Sequence, residues 1–467
     1  MYTDSQPKPR PVETHYVYAS LRSAFMVTTP HEPPVHPAHP VYVIGGGPGG
    51  LAVAAALRGR GVRAVVLEKS DAVGASWRAH YDRLRLHTTR RLSALPGLKM
   101  PRSFGRWVAR ADVVRYLEKY AEHHELEVVT GVEVHGIERS GGDWVLHATG
   151  GRRLVGGAVV VATGFNHTPS LPAWPGLDAY EGELSHARAY RSPEPYAGKD
   201  VLVVGAGNTG AEIAADLAGG GAQRVRLAVR TVPHIVRRTT AGWPAQRTGI
   251  LVRRLPVPVV DRLGAVMARF AAPDLTAHGL PRPDTGLATR QRQGAIPVQD
   301  VGLVDAVRSG KVEIVAAVEG FEGGEVLLAD GSRIAPDAVV AATGYRRALE
   351  PLVGDLGVLD ERGRPVVHGA RCPREAPGLY FTGFTNPISG MFRELAIDAE
   401  KIARAIARRG ARAAKDAKAA KGSKASDASK VTEAPEVPKA SEVTEALEAP
   451  EAATPAKTSK APKAERA

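Results

Sequence analysis

Two stretches of the chain share one pattern, and this repetition is the strongest constraint on the fold. Residues 41–50 read VYVIGGGPGG and residues 201–210 read VLVVGAGNTG, each an apolar run ending in a Gly-x-Gly-x-x-Gly loop. A small-residue helix pattern and a second apolar strand follow each loop. This order predicts two βαβ units, each binding the pyrophosphate of a dinucleotide at its loop. The apolar runs do not alternate, which favours parallel sheets covered on both faces.

With 467 residues, the chain is too long for one ordinary hydrophobic core. We predict an α/β fold with two nested Rossmann-like dinucleotide-binding domains, similar to the two-domain flavoprotein glutathione reductase. The predicted parts are a flexible leader (1–38), the domain of the first loop in two pieces (39–198 and 346–410), the domain of the second loop (199–345) and a disordered Ala/Lys/Glu/Pro tail (411–467).

Further elements follow from the local patterns. We expect a helix near 111–124, strands near 126–163, a small strand meander within 311–345 and a helix at about 391–409. Residues 232–300 are rich in Pro and Arg and are predicted to be irregular.

The residues of both loops are predicted to bind cofactor. They are Gly45, Gly46, Gly47, Pro48, Gly49 and Gly50 in the first loop, and Gly205, Ala206, Gly207, Asn208, Thr209 and Gly210 in the second. For Asn208 two readings stay open: a contact to the nicotinamide side of NADP, or a role in shaping the turn.

The ends of the second strands indicate which dinucleotide each loop binds. Glu68 ends the first βαβ unit, where an acid accepts hydrogen bonds from ribose hydroxyls, so the first loop suits FAD or NAD. In the second unit, Arg230 stands where the acid is expected, and a guanidinium pairs well with a 2′-phosphate. The second loop is therefore predicted to bind NADPH, although Arg230 is also readable as one surface arginine among many.

Composition excludes several classes of function. The single cysteine, Cys372, excludes a Cys-x-x-Cys redox pair and a thiolate metal site, and it suits a reducing cytosol. We expect no metal site, no secretory signal and no transmembrane segment, and a cytoplasmic location. The net charge of +13 is scattered through the chain, so we expect no specific nucleic-acid partner.

Between the loops, the segment YEGELSHARAY (180–190) resembles the fingerprint of flavin-containing monooxygenases, with Tyr180 where that family usually has Phe. The resemblance spans about 40–408. YDRLRLHTTRRLSALPGLKMP (81–101), GLPRPDTG (279–286) and VRSGKVEI (307–314) are most similar to the YUCCA-type branch. DAVVAATGYRRALEP (337–351) is similar to a motif shared with N-hydroxylating monooxygenases.

The resemblance also implies further site residues. DAVGASWR (71–78) is similar to the family's flavin-contacting segment, and LYFTGF (379–384) begins its closing flavin segment. His87 stands where many related enzymes have Asn, and it is the candidate catalytic residue, with a structural histidine as the alternative. His186 is expected to position the linker beside the second loop. The implied cofactor-binding residues outside the loops are Lys69, Ser76, Trp77, Arg78, His87 and Gly383.

The activity that the resemblance implies is that of a single-component monooxygenase, whose partners are a small-molecule substrate and O2. NADPH reduces FAD, O2 forms a flavin C4a-hydroperoxide, and one oxygen passes to a soft N or S nucleophile or to a 2-oxo acid such as indole-3-pyruvate.

Four alternatives stay open: an NADPH-dependent flavin reductase or oxidase, a Baeyer–Villiger enzyme, an N-hydroxylating enzyme, and a non-catalytic flavoprotein. A disulfide reductase is excluded by the cysteine count. The oligomeric state is open as well, with a homodimer as one candidate.

Overall fold

The computed structural model describes residues 39–271 and 273–428. Its strands are, in chain order, β1 (Val41–Ile44), β2 (Ala64–Leu67), β3 (Glu127–Val129), β4 (Val134–Ser140), β5 (Asp143–Ala148), β6 (Arg152–Gly156), β7 (Ala158–Val161), β8 (Thr168–Pro169), β9 (Glu183–His186), β10 (Asp200–Val204), β11 (Arg224–Ala228), β12 (Ile235–Arg237), β13 (Thr239–Thr240), β14 (Trp243–Pro244), β15 (Val298–Asp300), β16 (Glu313–Val315), β17 (Val318–Glu322), β18 (Glu325–Leu328), β19 (Arg333–Ile334), β20 (Ala338–Ala341), β21 (Tyr345–Arg346) and β22 (Leu379–Phe381). Its α-helices are α1 (Pro48–Arg58), α2 (Ala75–Arg78), α3 (Arg110–His123), α4 (Asn208–Gly219), α5 (Ala245–Val252), α6 (Val257–Ala271), α7 (Leu287–Arg292), α8 (Leu303–Arg308), α9 (Glu350–Val353) and α10 (Met391–Ala428).

The first sheet has the order β22–β7–β1–β2–β3, and all its pairings are parallel. Helices α1, α3 and α10 pack on one face, and the antiparallel β4–β5–β6 meander packs on the other. Both faces of the sheet are buried, which explains why its central strands read as continuous apolar runs.

The second sheet repeats this plan. Its order is β16–β11–β10–β20–β9, again all parallel. Helices α4 and α8 cover one face, and the β17–β18–β19 meander covers the other. The predicted pair of Rossmann-like units is confirmed.

The second unit is inserted into the first, because its strands β9, β10, β11, β16 and β20 lie between β7 and β22 in the chain. The chain leaves the first sheet after β7 and returns after β20. The two crossing segments pair with each other through β8 and β21, in which Thr168 lies opposite Arg346. The predicted nested arrangement is thus present, and the two crossings are hydrogen-bonded neighbours.

The prediction that residues 232–300 are irregular is wrong. The segment contains α5, α6 and α7 together with β12–β15. The prediction took the prolines of this segment as helix breakers. Pro244 immediately precedes α5, and Pro258 lies in the first turn of α6. N–H groups in the first turn of a helix make no intrahelical hydrogen bond, so a proline there costs none.

The final helix is longer than predicted. It was expected to end near 409, with a disordered tail from 411, but α10 continues to Ala428. Apolar residues at helical spacing, from Leu395 to Ile406, bury its first part. Beyond these residues the sequence is rich in Ala and Lys, which have high helix propensity. The prediction of disorder considered only the low hydrophobicity of this segment and not its helix propensity. The leader 1–38 and residues 429–467 lie outside the described residues.

No helix among residues 39–271 and 273–428 is both long and apolar enough to cross a membrane. Within the same ranges, no group of three or more His, Cys, Asp or Glu side chains is arranged to hold a metal ion.

Candidate functional site

The first glycine of each loop is required by a close backbone approach. Gly45 and Gly205 both have φ of +110°. A Cβ at Gly45 would lie 2.7 Å from the carbonyl oxygen of Ala162, and a Cβ at Gly205 would lie 2.7 Å from that of Ala342. Ala162 and Ala342 begin the two crossing segments, so each loop is packed directly against the chain that joins the domains.

The last glycine of each loop lets the helix approach the loop. A Cβ at Gly50 would lie 1.9 Å from the Gly45 oxygen, and a Cβ at Gly210 would lie 1.8 Å from the Gly205 oxygen. No side chain caps the N-terminus of α1 or α4, and a Cβ at Gly47 or Gly207 would meet nothing within 4 Å. Both helix N-termini are therefore uncapped and have open space beside their N-cap glycines, as the approach of a pyrophosphate requires.

Glu68 distinguishes the first loop from the second. Its side chain is 7% exposed, and its two oxygens accept hydrogen bonds from the backbone N–H groups of Gly46 (2.6 Å) and Ser70 (2.9 Å). A carboxylate beside the loop suits the hydroxyls of an unphosphorylated ribose. The second loop has Ala206 in the place of Gly46, and no acid lies at the end of its second strand.

The strand registers correct the predicted place of Arg230. Ile44 pairs with Leu67 and Val204 pairs with Ala228, so the residue equivalent to Glu68 is Val229. The predicted equivalence is wrong by one residue: the connection between the paired strands is one residue longer in the second unit, which places the equivalent position at Val229, one residue before Arg230. Arg230 is exposed, occupies the position of Lys69 and does not line the central cavity.

One cavity of about 1680 Å³ joins the two loops. Typical ligand sites occupy roughly 300–1,000 Å³, so this one has room for more than one ligand. The predicted site residues that line it are Gly45, Gly47, Pro48, Gly49, Glu68, Lys69, Ser76, Trp77, His87, Gly207, Asn208, Thr209 and Gly383. The predicted residues that do not line it are Gly46, Gly50, Arg78, Gly205, Ala206, Gly210 and Arg230.

The wall of this cavity carries buried polar atoms without a hydrogen-bond partner in the described part of the chain. These atoms are Thr163 Oγ1, His167 Nε2, Gln299 Oε1, Arg347 Nε, Thr382 Oγ1 and Asn386 Oδ1. Buried polar groups are nearly always satisfied in a native protein. The cavity is therefore suited to ligands that carry many hydrogen-bonding groups, as dinucleotides do.

Only some of the predicted flavin-contacting residues in segment 71–78 line the cavity. Ser76 and Trp77 line the cavity, and the Trp77 ring packs edge-on against Phe392, with 5.7 Å between centroids. Arg78 points elsewhere: its guanidinium binds the Glu118 carboxylate and donates to the Val73 carbonyl at 3.1 Å.

Both polar atoms of the Asn208 side chain bind backbone groups. Its Nδ2 donates to the Pro297 carbonyl at 3.1 Å, and its Oδ1 accepts from the Gln299 N–H at 2.8 Å. Of the two readings of Asn208, these contacts favour shaping of the loop, because both polar atoms are committed to the backbone around β15.

His186 connects the linker to the second crossing. Its Nε2 donates to the Gly344 carbonyl at 3.0 Å, and its Nδ1 accepts from the Arg188 N–H at 3.0 Å. Burial lowers the pKa of His186, which favours the neutral ring that this pair of bonds requires. The contacts agree with the predicted linker-positioning role.

His87 lies on the cavity wall, and its Nε2 contacts the carboxylate of Glu212 on α4. Sequence reasoning missed Glu212 and its neighbours His80 and Tyr81. One signal was available: an acid among the apolar residues of GNTGAEIAADL lies on the face of α4 that packs inward.

Two nested dinucleotide-binding units that share one cavity define the class of two-nucleotide flavoproteins. In agreement, residues 42–241 match the family model described as pyridine nucleotide-disulphide oxidoreductase.

Comparison with known proteins and solved structures identifies the family within this class of flavoproteins. The chain is 37% identical over 349 residues to indole-3-pyruvate monooxygenase YUCCA1 of Oryza sativa subsp. japonica, covering 73% of this chain and 86% of that protein. The flavin-containing monooxygenase of Stenotrophomonas maltophilia is 26% identical, with a TM-score of 0.60 over 80% of this chain and 99% of that one. Cyclohexanone monooxygenase, at 19% identity and a TM-score of 0.62, covers 79% of this chain and 87% of its own, and shares the fold. The chain belongs to the flavin-containing monooxygenase family, is an oxidoreductase and uses a flavin cofactor.

We predict that Gly50→Ala destabilises the protein by about 1–3 kcal/mol, because the new methyl group overlaps the Gly45 carbonyl oxygen. Urea unfolding and the amount of flavin retained on purification measure the effect. Gly59→Ala, at the other end of α1, is the matched control, since its Cβ would be 3.5 Å from the nearest atom and its φ is −62°. Equal stability losses in the two variants would contradict the overlap.

A second prediction concerns pH. Burial and the nearby Arg191 lower the pKa of His80 from 6.5 to about 4. The unfolded chain then binds a proton below about pH 6.5 that the folded chain does not, so stability falls as the pH drops towards 4. We expect the free energy of unfolding to fall between about pH 7 and pH 5 by about 2 kcal/mol more in the wild type than in His80→Gln. Parallel pH dependences in urea unfolding would refute this assignment.

Proposed function

We propose that this chain is an NADPH- and FAD-dependent monooxygenase that transfers one oxygen atom of O2 to a small organic substrate. The observation that carries the proposal is the single cavity that both glycine loops line. A hydride donor held at one loop and a flavin held at the other would meet in that cavity, and the family membership supports oxygen transfer as the outcome.

FAD is assigned to the first loop. The free N–H groups at the start of α1 suit its pyrophosphate, and the buried Glu68 suits its ribose. Ser76, Trp77 and Gly383 line the cavity beyond this loop. Bound and reduced, the flavin supplies the chemistry that activates O2. The protein's part is to hold the cofactors, exclude water and place hydrogen-bonding groups at the cavity wall.

NADPH is assigned to the second loop. Val229 in the place of Glu68 removes the acid that would repel a 2′-phosphate, and the exposed guanidinium of Arg230 follows directly. Lys69 occupies the equivalent position in the first unit, but there Glu68 precedes it.

For the substrate, we propose a 2-oxo acid such as indole-3-pyruvate, the compound named in the curated relatives. Cationic side chains on the cavity wall support an anionic substrate: Arg85, Arg188, Arg237, Arg282 and Arg347. Soft N or S nucleophiles are the second candidate class. The proposal includes a cytoplasmic location, which the single cysteine supports.

Rapid mixing tests the activity. The purified flavoprotein is reduced with NADPH, mixed with O2 and followed by absorbance, with and without indole-3-pyruvate or a thioether. We expect a transient spectrum unlike the reduced and oxidised flavin, and one oxygenated product per NADPH with the 2-oxo acid. Direct return to oxidised flavin, with hydrogen peroxide as the only product from every substrate, would identify a reductase or oxidase and refute the proposal.

Arg230→Ala is predicted to raise the KM for NADPH about 10-fold or more, the cost of one charge-assisted phosphate contact, while the KM for NADH stays nearly unchanged. Steady-state kinetics with both coenzymes measure this. Arg224→Ala, which removes an exposed arginine paired with Glu313 at the other end of β11, is the matched control. Equal effects of Arg230→Ala on both coenzymes would refute the phosphate contact.

A further inference from the structure

Glu212 is a buried acid at the junction of the two domains. It lies in the second turn of α4, which begins at the second glycine loop, and is 3% exposed. Its Oε1 contacts Nε2 of His87, a residue of the first domain that lines the cavity. A side chain of the second nucleotide-binding unit therefore holds a side chain on the cavity wall.

A second carboxylate on the same helix provides a comparison. Asp216, one turn after Glu212, accepts hydrogen bonds from Arg83 Nη1 at 3.1 Å and from the Tyr190 hydroxyl at 2.8 Å. Both acids face the segment 81–87, but only Glu212 contacts His87. Asp216 thus anchors the segment without touching the ring.

The surroundings of Glu212 explain why its partner matters. Tyr81 lies beside it, and burial and the Glu212 carboxylate together raise the pKa of Tyr81 well above its usual value. His80 and Arg238 also lie within electrostatic range of Glu212. A desolvated carboxylate needs hydrogen-bond donors, because burial without them is costly. The imidazole N–H of His87 is such a donor.

We propose that Glu212 is a positioning residue for His87. The Glu212 carboxylate accepts a hydrogen bond from the protonated Nε2 of His87. The other ring nitrogen, Nδ1, is then left available to the cavity. The hydrogen bond made by one imidazole nitrogen determines which nitrogen carries the proton, and a carboxylate partner also orients the ring. Within residues 39–271 and 273–428, Nδ1 has no hydrogen-bond partner in the protein. The inference rests on the proposed function, since the orientation matters only if the cavity is the reaction site.

The arrangement also links His87 to the coenzyme site. The N-terminal turn of α4 carries the loop assigned to NADPH, and Glu212 lies one turn further along the same helix. The ring of His87, a residue of the first domain, therefore contacts the helix whose N-terminus would bind the pyrophosphate of NADPH.

Nitrogen NMR of the flavin-loaded protein, with ¹⁵N-labelled histidine, tests the tautomer. His87→Gln identifies the His87 signals by their loss. In the wild type we expect Nε2 to carry a proton. In Glu212→Gln and Glu212→Leu we expect a mixture of tautomers, because the amide is a weaker and ambivalent partner and the leucine offers none. Asp216→Asn, the matched control, is expected to lower the melting temperature and leave the His87 signals in place.

Kinetics provide the second measurement. Glu212→Gln is expected to lower kcat about 10-fold or more, the size of the effect seen when a metal-ligating histidine loses its orienting carboxylate, with little change in the KM for NADPH. Retention of flavin and the melting temperature separate this effect from unfolding.

Either of two results would overturn the proposal. One is a neutral His87 protonated at Nδ1 in the wild type, a measurement that needs no variant of Glu212 to fold. The other is unchanged His87 signals in both Glu212 variants. If the protein oxygenated no substrate, the proposed function would fail, while the NMR result would still decide the tautomer.

Discussion

The rest of the structure depends on a backbone contact that occurs once in each nucleotide-binding unit. In this contact, the first glycine of the loop packs against the carbonyl oxygen at the start of a segment that crosses between the domains. Gly45 approaches Ala162 and Gly205 approaches Ala342 so closely that neither position has room for a Cβ. Because the two crossings pair through β8 and β21, each nucleotide loop is tied to the strand pair that joins the domains. The loops consequently open into one cavity.

Around this shared frame, polar contacts between distant segments of the chain hold the cavity wall in place. His186 fixes the linker to Gly344, and α4 reaches the segment 81–87 through Glu212 and Asp216. These contacts are made by residues far apart in the chain, and those of α4 join the helix of the second loop to the segment 81–87, several residues of which line the cavity. The unpartnered polar atoms of Thr163, Gln299 and other wall residues complete a site built for polar ligands.

Much of the fold was predictable, because local patterns report local geometry. Two apolar strands, each followed by a glycine loop, specified both βαβ units, and Glu68 was recognised by its distance from the first loop. Residues 232–300 were not predictable in this way, since prolines that mark helix starts resemble prolines that break helices. The length of α10 was missed because helix propensity and hydrophobicity point in opposite directions after residue 410.

By itself, the sequence determined the two nucleotide-binding units, their nesting and the family. These depend on residue types at short spacing, and short spacing translates directly into strands, turns and helices. The tertiary structure alone decided the register that makes Val229 the equivalent of Glu68 and the exclusion of Arg78 from the cavity. It also decided the partnership of His87 with Glu212, which lie 125 residues apart in the chain. Pairing across such separations depends on how two sheets and their helices pack, and no local pattern encodes that packing.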